Sequence, residues 1–464
     1  MHRLSFARQS PPRPPRERSY VLRLSFPAIL ENLTATMMQI TNMIMVGGLG
    51  AAATATVAVN SAPTWVLNSL VMAVGVGSTA LVARSTGARQ TSAAEAACRQ
   101  TFLLGLAAGA ALSVLTYFLA PMIPVWMHAD PALHGEATLY MRILSAGFLP
   151  YYTGVVLAAA LRGAGDMATP MKVSITASAL NILGGFLLIY PSRHISILSL
   201  SFPMWGAGLG VRGAAIATAV TTGLSGVWLV LAVLRPQSRL KLRLKQLRPD
   251  FPFIKQLLSV GTPAALERLS ISLGQMIFIG MVASLGTAQL AAHHLVVTIE
   301  SLSYMPGYGF AAAASTLVGQ SLGAGEAQKA RAQGDLTIRL CVMTMSLVGV
   351  ALFSLAPWWM ALFTPDQDVR MIGASLLRIC SLEQPATALY LTSSGALRGA
   401  GETRAPFLVA FASMGLRLVL AYVFISQWNM GVQGAWWAMG IDLWVRGTLT
   451  FVYFRKGRWA AARI

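Results

Sequence analysis

Four glutamates lie inside long apolar stretches of the chain, at Glu31, Glu267, Glu300 and Glu383. A carboxylate surrounded by hydrocarbon persists only when it is protonated, bound to a cation or paired with a basic group. Carboxylates in such positions therefore indicate ion binding inside a membrane.

Two of these carboxylates, Glu31 and Glu267, each follow a proline by four residues in equivalent sequence contexts, PAILE and PAALE. At helical spacing Glu31 shares a face with Met38 and Asn42, and this face suits the lining of a cleft. We assign ion coupling to Glu31 and Glu267, and we expect Glu31 to exchange the proton and Glu267 to be the more structural of the two. A structural role is the alternative, in which both glutamates brace a bend near the proline or Glu267 pairs with Arg268 next to it.

The segment TIESLSYMPGYGF places Glu300 one and two helical turns before Tyr304 and Tyr308. A carboxylate beside aromatic rings could meet a cationic aromatic compound. We therefore assign Glu300 and Tyr304 to a substrate cleft. Ordinary packing of the tyrosines is the alternative.

Gln39 and Gln275 are a second matched polar pair, and we assign both to the substrate cleft together with Met38. Methionine suits promiscuous pockets because its side chain is flexible and polarizable, although filling of a core is its commoner role. For Glu383, a structural ion pair with Arg378 or Arg417 is the favoured interpretation.

The composition decides the class of protein. Hydrophobic residues make up 55% of the 464 residues and charged residues only 11%, whereas soluble domains carry about 25% charged residues. This excludes a soluble enzyme and a disordered protein. The long unbroken apolar runs indicate membrane-spanning helices rather than a β-barrel.

Motifs typical of catalysis, metal binding or phosphate binding are absent from the sequence. Cys98, Cys341 and Cys380 lie far apart and are expected to be free thiols. We therefore predict no enzymatic activity, no catalytic residues, no metal centre and no cofactor beyond a coupling ion, H⁺ or Na⁺.

Twelve apolar segments alternate with short loops. They cover residues 22–46, 54–83, 97–120, 134–161, 167–190, 210–234, 254–282, 288–318, 336–363, 370–397, 405–427 and 432–454. Lys and Arg concentrate in the tails and in the even-numbered loops, which predicts that both termini are cytoplasmic. The net charge of +19 is thus a topology signal and does not indicate a nucleic-acid partner.

The chain also contains an internal repeat. PAILE at Pro27 recurs as PAALE at Pro263, and LRGAGDMATP at Leu161 recurs as LRGAGETRAP at Leu397, both 236 residues later. The first half carries about 15 extra residues around PSRHISILSLSFP, because GVRGA and GVQGA are only 221 residues apart. A repeat unit with an even number of helices inserts in the same direction twice, so its copies are related by an axis along the membrane normal.

These patterns predict an all-α polytopic membrane protein of twelve transmembrane helices, arranged as two six-helix lobes related by a pseudo-two-fold axis. The predicted parts are a disordered basic tail (1–20), an N-lobe (21–235), a cytoplasmic linker (236–252), a C-lobe (253–455) and a second tail (456–464).

The PAILEN and IMVGGLG runs of the first helix, the two LRGAG turns and the STLVGQSLGAG run resemble the multidrug and toxic compound extrusion (MATE) family of antiporters. The resemblance covers about residues 20–455. It implies an exporter of amphipathic organic cations, driven by H⁺ or Na⁺, in which two lobes alternate access to a cleft.

The chain departs from the family where ions are commonly bound. Asn42 stands where members commonly carry an acid in the first helix, Gly185 where an acid can follow the fifth-helix asparagine, and Thr387 where some have an acid in helix ten. The asparagine itself, Asn181, is present. The resemblance therefore implies ion-coupling positions at Asn42 and Asn181, with another carboxylate taking over the missing charge.

The expected function is antiport of small organic compounds by a monomer in the bacterial inner membrane, with membrane lipids as its other partners. A flippase or metabolite exporter for lipid-linked or other anionic substrates on the same fold is the alternative. Such a protein would need a strongly cationic cleft, and few arginines lie within the apolar segments.

Overall fold

The structure is a computed structural model that describes residues 14–197, 200–235, 238–242 and 247–461. Nearly all of these residues are helical. The helices are α1 (Pro14–Gly47), α2 (Ala51–Gly87), α3 (Thr91–Leu119), α4 (Ile123–Trp126), α5 (His134–Gly163), α6 (Ala168–Ile189), α7 (Gly210–Leu234), α8 (Phe251–Ala283), α9 (Thr287–Ser303), α10 (Met305–Gly323), α11 (Ala327–Ser354), α12 (Ala356–Phe363), α13 (Gln367–Gly399), α14 (Arg404–Tyr422) and α15 (Gly431–Lys456). Strands β1 (Pro191–Ile197) and β2 (Leu200–Ala207) form one antiparallel hairpin.

Eight of these helices are long and apolar enough to cross a membrane by their length and composition, within the residues described. They are α2, α3, α5, α6, α7, α8, α11 and α14. Helices α1, α13, α15 and the consecutive pair α9–α10 complete the twelve predicted crossings. Each of these four crossings carries a carboxylate, Glu31, Glu383, Asp442 or Glu300, and the α9–α10 crossing is also divided into two shorter helices.

The helices form the two predicted lobes. In the N-lobe, α5 lies at the centre and packs against α2, α3 and α7. In the C-lobe, α13 has the same position and packs against α10, α11 and α15. Each lobe encloses its own hydrophobic core, with Tyr152 and Leu157 of α5 in one and Leu377 and Trp436 in the other.

The first crossing begins earlier than predicted. Helix α1 starts at Pro14, so the prediction of a disordered tail over residues 1–20 is wrong for its last seven residues, while residues 1–13 lie outside the described part. Prolines are tolerated in a first helical turn because the N–H they lack would be unpaired there. Directly after this extension, Val21 and Leu24 are buried in one hydrophobic cluster with Phe310 of the C-lobe.

The other predicted boundaries also shift slightly. Helix α8 begins at Phe251, where the Asp250 side chain accepts a hydrogen bond from the Phe253 N–H and caps the helix. At the far end, Trp459 is buried and stacks on Phe454 at 5.0 Å. The predicted C-terminal tail therefore starts as a packed 3₁₀ turn, Arg458–Ala461. Linker residues 236–237 and 243–246 lie outside the described residues.

Two features interrupt the repeat. The extra residues of the first half form the β1–β2 hairpin, which is the exception to the all-helical prediction. The predicted span 288–318 is broken at Tyr304, where α9 ends and α10 begins. Pro306 at the second position of α10 accounts for this break, because proline favours the start of a helix over its interior.

The tightest contacts described between the lobes lie towards one membrane face. We name this the terminal face, where α1 begins and α15 ends, and the opposite one the distal face. Several glycines of the terminal half lie directly against backbone of the opposite lobe, so that a Cβ would collide with it. The pairs are Gly77 with Leu257, Gly261 with Ala73, Gly87 with Gln320 and Gly323 with Arg84.

Glycines towards the distal face have open space instead. A Cβ built on Gly47, Gly50, Gly280 or Gly286 would have nothing within 4 Å. Because the tight contacts described between the lobes are concentrated in the terminal half, the cleft between them opens towards the distal face.

Packing within a lobe can be tested at Gly226 of α7, where an added Cβ would collide with the Pro150 carbonyl of α5. Gly226→Ala should lower the free energy of unfolding by about 1–3 kcal/mol through overpacking. Gly280→Ala is the matched control in open space, and it should be neutral or stabilising by about 0.5–1 kcal/mol. Thermal melting in detergent measures both, and equal melting temperatures would contradict the described contact of α5 with α7.

Candidate functional site

The two repeated glutamates make equivalent ion pairs. Arg162 Nη1 donates to Glu31 Oε1 at 2.8 Å, and Arg398 Nη2 donates to Glu267 Oε1 at 2.9 Å. Both arginines belong to the LRGAG turns, and each lies 131 residues after its glutamate. Each lobe therefore ties its first helix to the terminal end of its central helix by one charged hydrogen bond.

The surroundings of the two pairs differ. The Glu267 side chain is 1% exposed and also accepts a hydrogen bond from the Tyr390 hydroxyl. The Glu31 side chain is 20% exposed. A buried pair depends more on its partner than a hydrated one, so the C-lobe pair is the more strongly constrained of the two.

Arg268, which the sequence suggested as the partner of Glu267, points elsewhere. Its Nη1 lies 3.5 Å from the Tyr308 hydroxyl, and its guanidinium carbon lies 6.0 Å from the ring centroid of Trp65 in the N-lobe. A helical neighbour points away from the preceding side chain, since adjacent residues do not share a face. Arg268 thus lies between the lobes rather than beside Glu267.

The interior of the C-lobe holds a second charged group around Asp442. Arg417 Nε and Arg446 Nη2 both donate to Asp442 Oδ2 at 2.7 Å, and all three residues are buried. Arg417 Nη1 also donates to Gln275 Oε1 at 3.1 Å. The predicted cleft residue Gln275 is therefore engaged inside the C-lobe.

Glu300 and Glu383 come together beside this network. One oxygen of each carboxylate and the Cys380 sulfur lie within 4.8 Å of one another, and the two glutamates are 3% and 1% exposed. Glu300 accepts a hydrogen bond from Tyr304, whereas neither oxygen of Glu383 has a partner among the described residues. Among the described residues, these three form the group of His, Cys, Asp or Glu side chains whose ligand atoms lie close enough together to hold a cation.

The polar residues of the N-lobe are arranged differently. Asn181 of α6 is fully buried and donates to the hydroxyls of Thr221 and Thr218 on α7, at 3.0 and 3.3 Å. Its Oδ1 atom is buried without a partner in the described residues. Asn42 is half-buried one helical turn before Met45, whose side chain lies against Gly185. The predicted N-lobe coupling position thus offers amides and hydroxyls but no buried carboxylate.

The remaining predicted cleft residues lie on α1, where Met38 is half-buried and Gln39 is exposed. Thr36 of the same helix donates to the Met305 sulfur of α10 at 3.2 Å, across the lobe boundary. Helix α1 therefore contacts the C-lobe where the α9–α10 crossing is broken.

Both LRGAG turns also receive hydrogen bonds from the opposite lobe. Gln320 Nε2 and Thr316 Oγ1 of α10 donate to the carbonyls of Gly163 and Arg162 at 3.0 and 2.9 Å. In return, Arg84 Nη2 of α2 donates to the Ala400 carbonyl at 3.1 Å. Arg84 and Gln320 are 236 residues apart, so they occupy equivalent positions in the two halves of the repeat. The two lobes therefore close the terminal face through equivalent positions.

The repeat found in the sequence also appears in comparisons with known proteins. A family model described as MatE matches residues 27–187 and 263–423, two segments again 236 residues apart and together well over half of the chain. The chain belongs to the MatE family. Members of this family are transporters and not enzymes, so this MatE protein is an integral membrane transporter.

Curated relatives match this MatE protein over most of its length. A probable multidrug resistance protein NorM of Thermotoga maritima is 28% identical over 446 residues, covering 96% of this chain and 94% of its own. An uncharacterized transporter, YisQ of Bacillus subtilis, is 25% identical and covers 83% of each chain. The resemblance seen in the sequence is thereby confirmed, and the protein is a relative of the NorM multidrug efflux transporters.

Solved structures share the fold. An outward-facing conformation of a multidrug resistance MATE family transporter superposes with a TM-score of 0.88 at 23% identity, covering 95% of both chains. A MOP superfamily transporter from Pyrococcus furiosus gives a TM-score of 0.87 at 24% identity, again over 95% of both chains. The two-lobe arrangement of twelve crossings predicted from the sequence is therefore confirmed.

Sequence reasoning missed two relations in this site. It gave Arg162 and Arg398 no acidic partner, although their identical spacing of 131 residues from Glu31 and Glu267 was a usable signal. It also treated Glu300 and Glu383 separately. They lie on different helices, α9 and α13, and no repeat links them, so only the packing of the C-lobe brings them together.

The two ion pairs should differ in their contribution to stability. Glu267→Gln removes a carboxylate that is only 1% exposed and accepts hydrogen bonds from both Arg398 and Tyr390, which should cost about 3–5 kcal/mol. Glu31→Gln should cost less, about 1–3 kcal/mol, because the Glu31 side chain is 20% exposed and water can replace part of the lost hydrogen bond. Thermal melting in detergent compares the two variants.

A double variant tests whether pairing is the cause. Glu267→Gln with Arg398→Gln should be less destabilised than the sum of the single variants, because the second change removes the unpaired charge. Strictly additive losses would show that the two side chains do not act as a pair.

Proposed function

We propose that this protein exports amphipathic organic cations from the cell in exchange for H⁺ or Na⁺. The observation that carries the proposal is the reciprocal closure of the terminal face. Both LRGAG turns are held by the opposite lobe through hydrogen bonds from Gln320 and Arg84, while the cleft is open at the distal face. One open and one closed face is what alternating access requires of each of its end states.

The direction of export follows from the basic loops. The terminal face carries the basic linker and the basic ends of the chain, which favours the cytoplasmic side. The open distal face would then be the periplasmic side, where a bound compound is released. The relatives described as multidrug resistance proteins support organic compounds as the cargo.

Coupling to an ion gradient is supported by the carboxylates of the C-lobe interior. Among the described residues, Glu300 and Glu383 have no basic partner within salt-bridge distance, although both are buried. An unpaired buried carboxylate needs a proton or a cation. An ion bound there and lost again could bias the equilibrium between the two end states of the cleft.

The test is efflux from proteoliposomes that contain the purified protein and a fluorescent organic cation. An imposed pH or Na⁺ gradient should accelerate efflux, and collapse of that gradient by an ionophore should abolish the acceleration. Gradient-independent transport, or transport of a lipid-linked anion with no transport of cations, would favour the flippase alternative and contradict the proposal.

The closed terminal face is separately testable. The double change Thr316→Val with Gln320→Leu removes both side-chain donors to the first LRGAG turn. At about 0.5–1.5 kcal/mol for each hydrogen bond, the closed arrangement should lose about 1–3 kcal/mol. A cysteine introduced at Ala88, at the terminal end of α2, should then react several-fold faster with a maleimide.

Thr344→Val is the matched control, because Thr344 donates only within α11, to the Leu340 carbonyl. Its maleimide reactivity at position 88 should equal that of the parent. If the double variant also leaves the reactivity unchanged, the two donors do not hold the terminal face closed.

A further inference from the structure

We propose that Glu300 and Glu383 share a single proton, and that this proton is the ion exchanged for substrate. The inference rests on the proposed antiport function, whose coupling ion and site it names. During one cycle the pair takes up one proton from the water on one side and releases it to the water on the other side, with no covalent chemistry.

The first argument is the geometry of the pair. The two carboxylates have oxygens within 4.8 Å of each other and are at most 3% exposed. Two buried carboxylates this close cannot both remain ionised, because each charge raises the cost of the other. One proton placed between them removes the repulsion and gives Glu383 the hydrogen-bond partner that it otherwise lacks in the described residues.

The second argument is the balance of charge around the pair. The titratable and charged groups around it are Tyr304 at the end of α9, Cys380 of α13, Arg417 of α14 and Asp442 of α15, the last bound also by Arg446. Gln275 of α8 and Gln384 of α13 are hydrogen-bonded to Arg417 and to Cys380.

Arg398 offsets Glu267, so the pair depends on the remaining arginines. Arg417 and Arg446 carry two positive charges, and Asp442, with which both are paired, neutralises one of them. That spare charge can offset one of the two glutamates, and the other requires one proton.

The third argument concerns the alternative ion. Hard cations take several oxygen ligands, whereas the third ligand atom in this cluster is the sulfur of Cys380. The positive charge of Arg417, which binds Asp442 and Gln275 beside the cluster, would repel a metal cation. A proton needs only the two carboxylate oxygens, so the cluster suits H⁺ better than Na⁺.

The fourth argument is the connection to the lobe boundary. Tyr304, which donates to Glu300, is the residue at which α9 ends and α10 begins. The next residue, Met305, accepts the hydrogen bond from Thr36 of the N-lobe. A change in the charge of Glu300 therefore acts on Tyr304 at a helix break that contacts the opposite lobe. Tyr304 is a positioning residue in this scheme.

The first experiment measures protons directly. The purified protein in weakly buffered detergent solution is mixed with an organic cation that it transports, and the pH change is recorded. Wild type should release about one proton per bound cation, as expected for a pair that titrates as a unit. Glu383→Gln and Glu300→Gln should each bind the cation without releasing this proton.

The second experiment measures transport by the same variants in proteoliposomes. Each glutamine variant should lose most of the acceleration by a pH gradient, at least about tenfold, while exchange of cation without a gradient persists. Glu136→Gln is the matched control, since Glu136 pairs with Arg212 at 3.5 Å on the exposed part of the distal face. This control should behave as wild type in both assays.

Tyr304→Phe supplies a readout that a merely structural residue would not change. Loss of the hydroxyl removes a donor that favours the ionised form of Glu300. The midpoint of the pH dependence of transport should move to higher pH, with the maximal rate largely retained. An unchanged midpoint would overturn the role of Tyr304.

The outcomes separate this inference from the proposed function. If wild type shows no gradient-driven efflux at all, the antiport proposal fails. If wild type is driven by a pH gradient and both glutamine variants remain equally driven, only the shared-proton site is overturned. Transport by wild type that depends on Na⁺ and releases no proton would likewise overturn it. A melting temperature near that of wild type shows that a variant is folded. If Glu383→Gln does not fold, Glu300→Gln alone provides the test.

Discussion

The cost of placing a carboxylate in a low-dielectric interior governs this structure more than any other interaction. Each of the acids in the crossings must be neutralised by a partner on another helix or by an ion. Glu31 and Glu267 use the arginines of the LRGAG turns, and Asp442 uses two arginines of the C-lobe. These pairings fix which helices must be neighbours, so they constrain both lobes from within.

Duplication places the same constraint twice. Both lobes bind their first helix to their central helix through a glutamate and an arginine 131 residues apart. Both LRGAG turns accept hydrogen bonds from the opposite lobe, and glycines at equivalent positions allow the backbones to approach closely. The terminal face is therefore closed by contacts at equivalent turns of the two lobes, although the donors differ.

The lobes differ in the polar and charged side chains that they bury. The N-lobe surrounds Asn181 with threonine hydroxyls, and the C-lobe brings Glu300 and Glu383 together near Arg417. The break at Tyr304 belongs to the C-lobe alone, because the equivalent stretch of the N-lobe lies inside the unbroken helix α2. An asymmetric distribution of charge within a symmetric frame can confine ion exchange to one lobe while both lobes move.

The sequence by itself determined the membrane class, the number of crossings, the duplication and the position of the repeated turns. These properties can be read from the local composition and from the spacing of motifs along the chain. The membrane requires apolar segments of a certain length and basic residues on one side, and duplication produces the constant spacing. It also located the extra residues of the first half, although not their β-hairpin. Individual carboxylates could be found in the same way, since an acid within an apolar run is conspicuous.

Only the tertiary structure decided the partners of those carboxylates. Arg398 rather than Arg268 binds Glu267, because a contact depends on which helix faces meet and not on adjacency in the chain. Glu300 and Glu383 become one site through the packing of α9 against α13. The direction in which the cleft opens likewise depends on where the two lobes contact each other. Those contacts join residues that are far apart in the sequence.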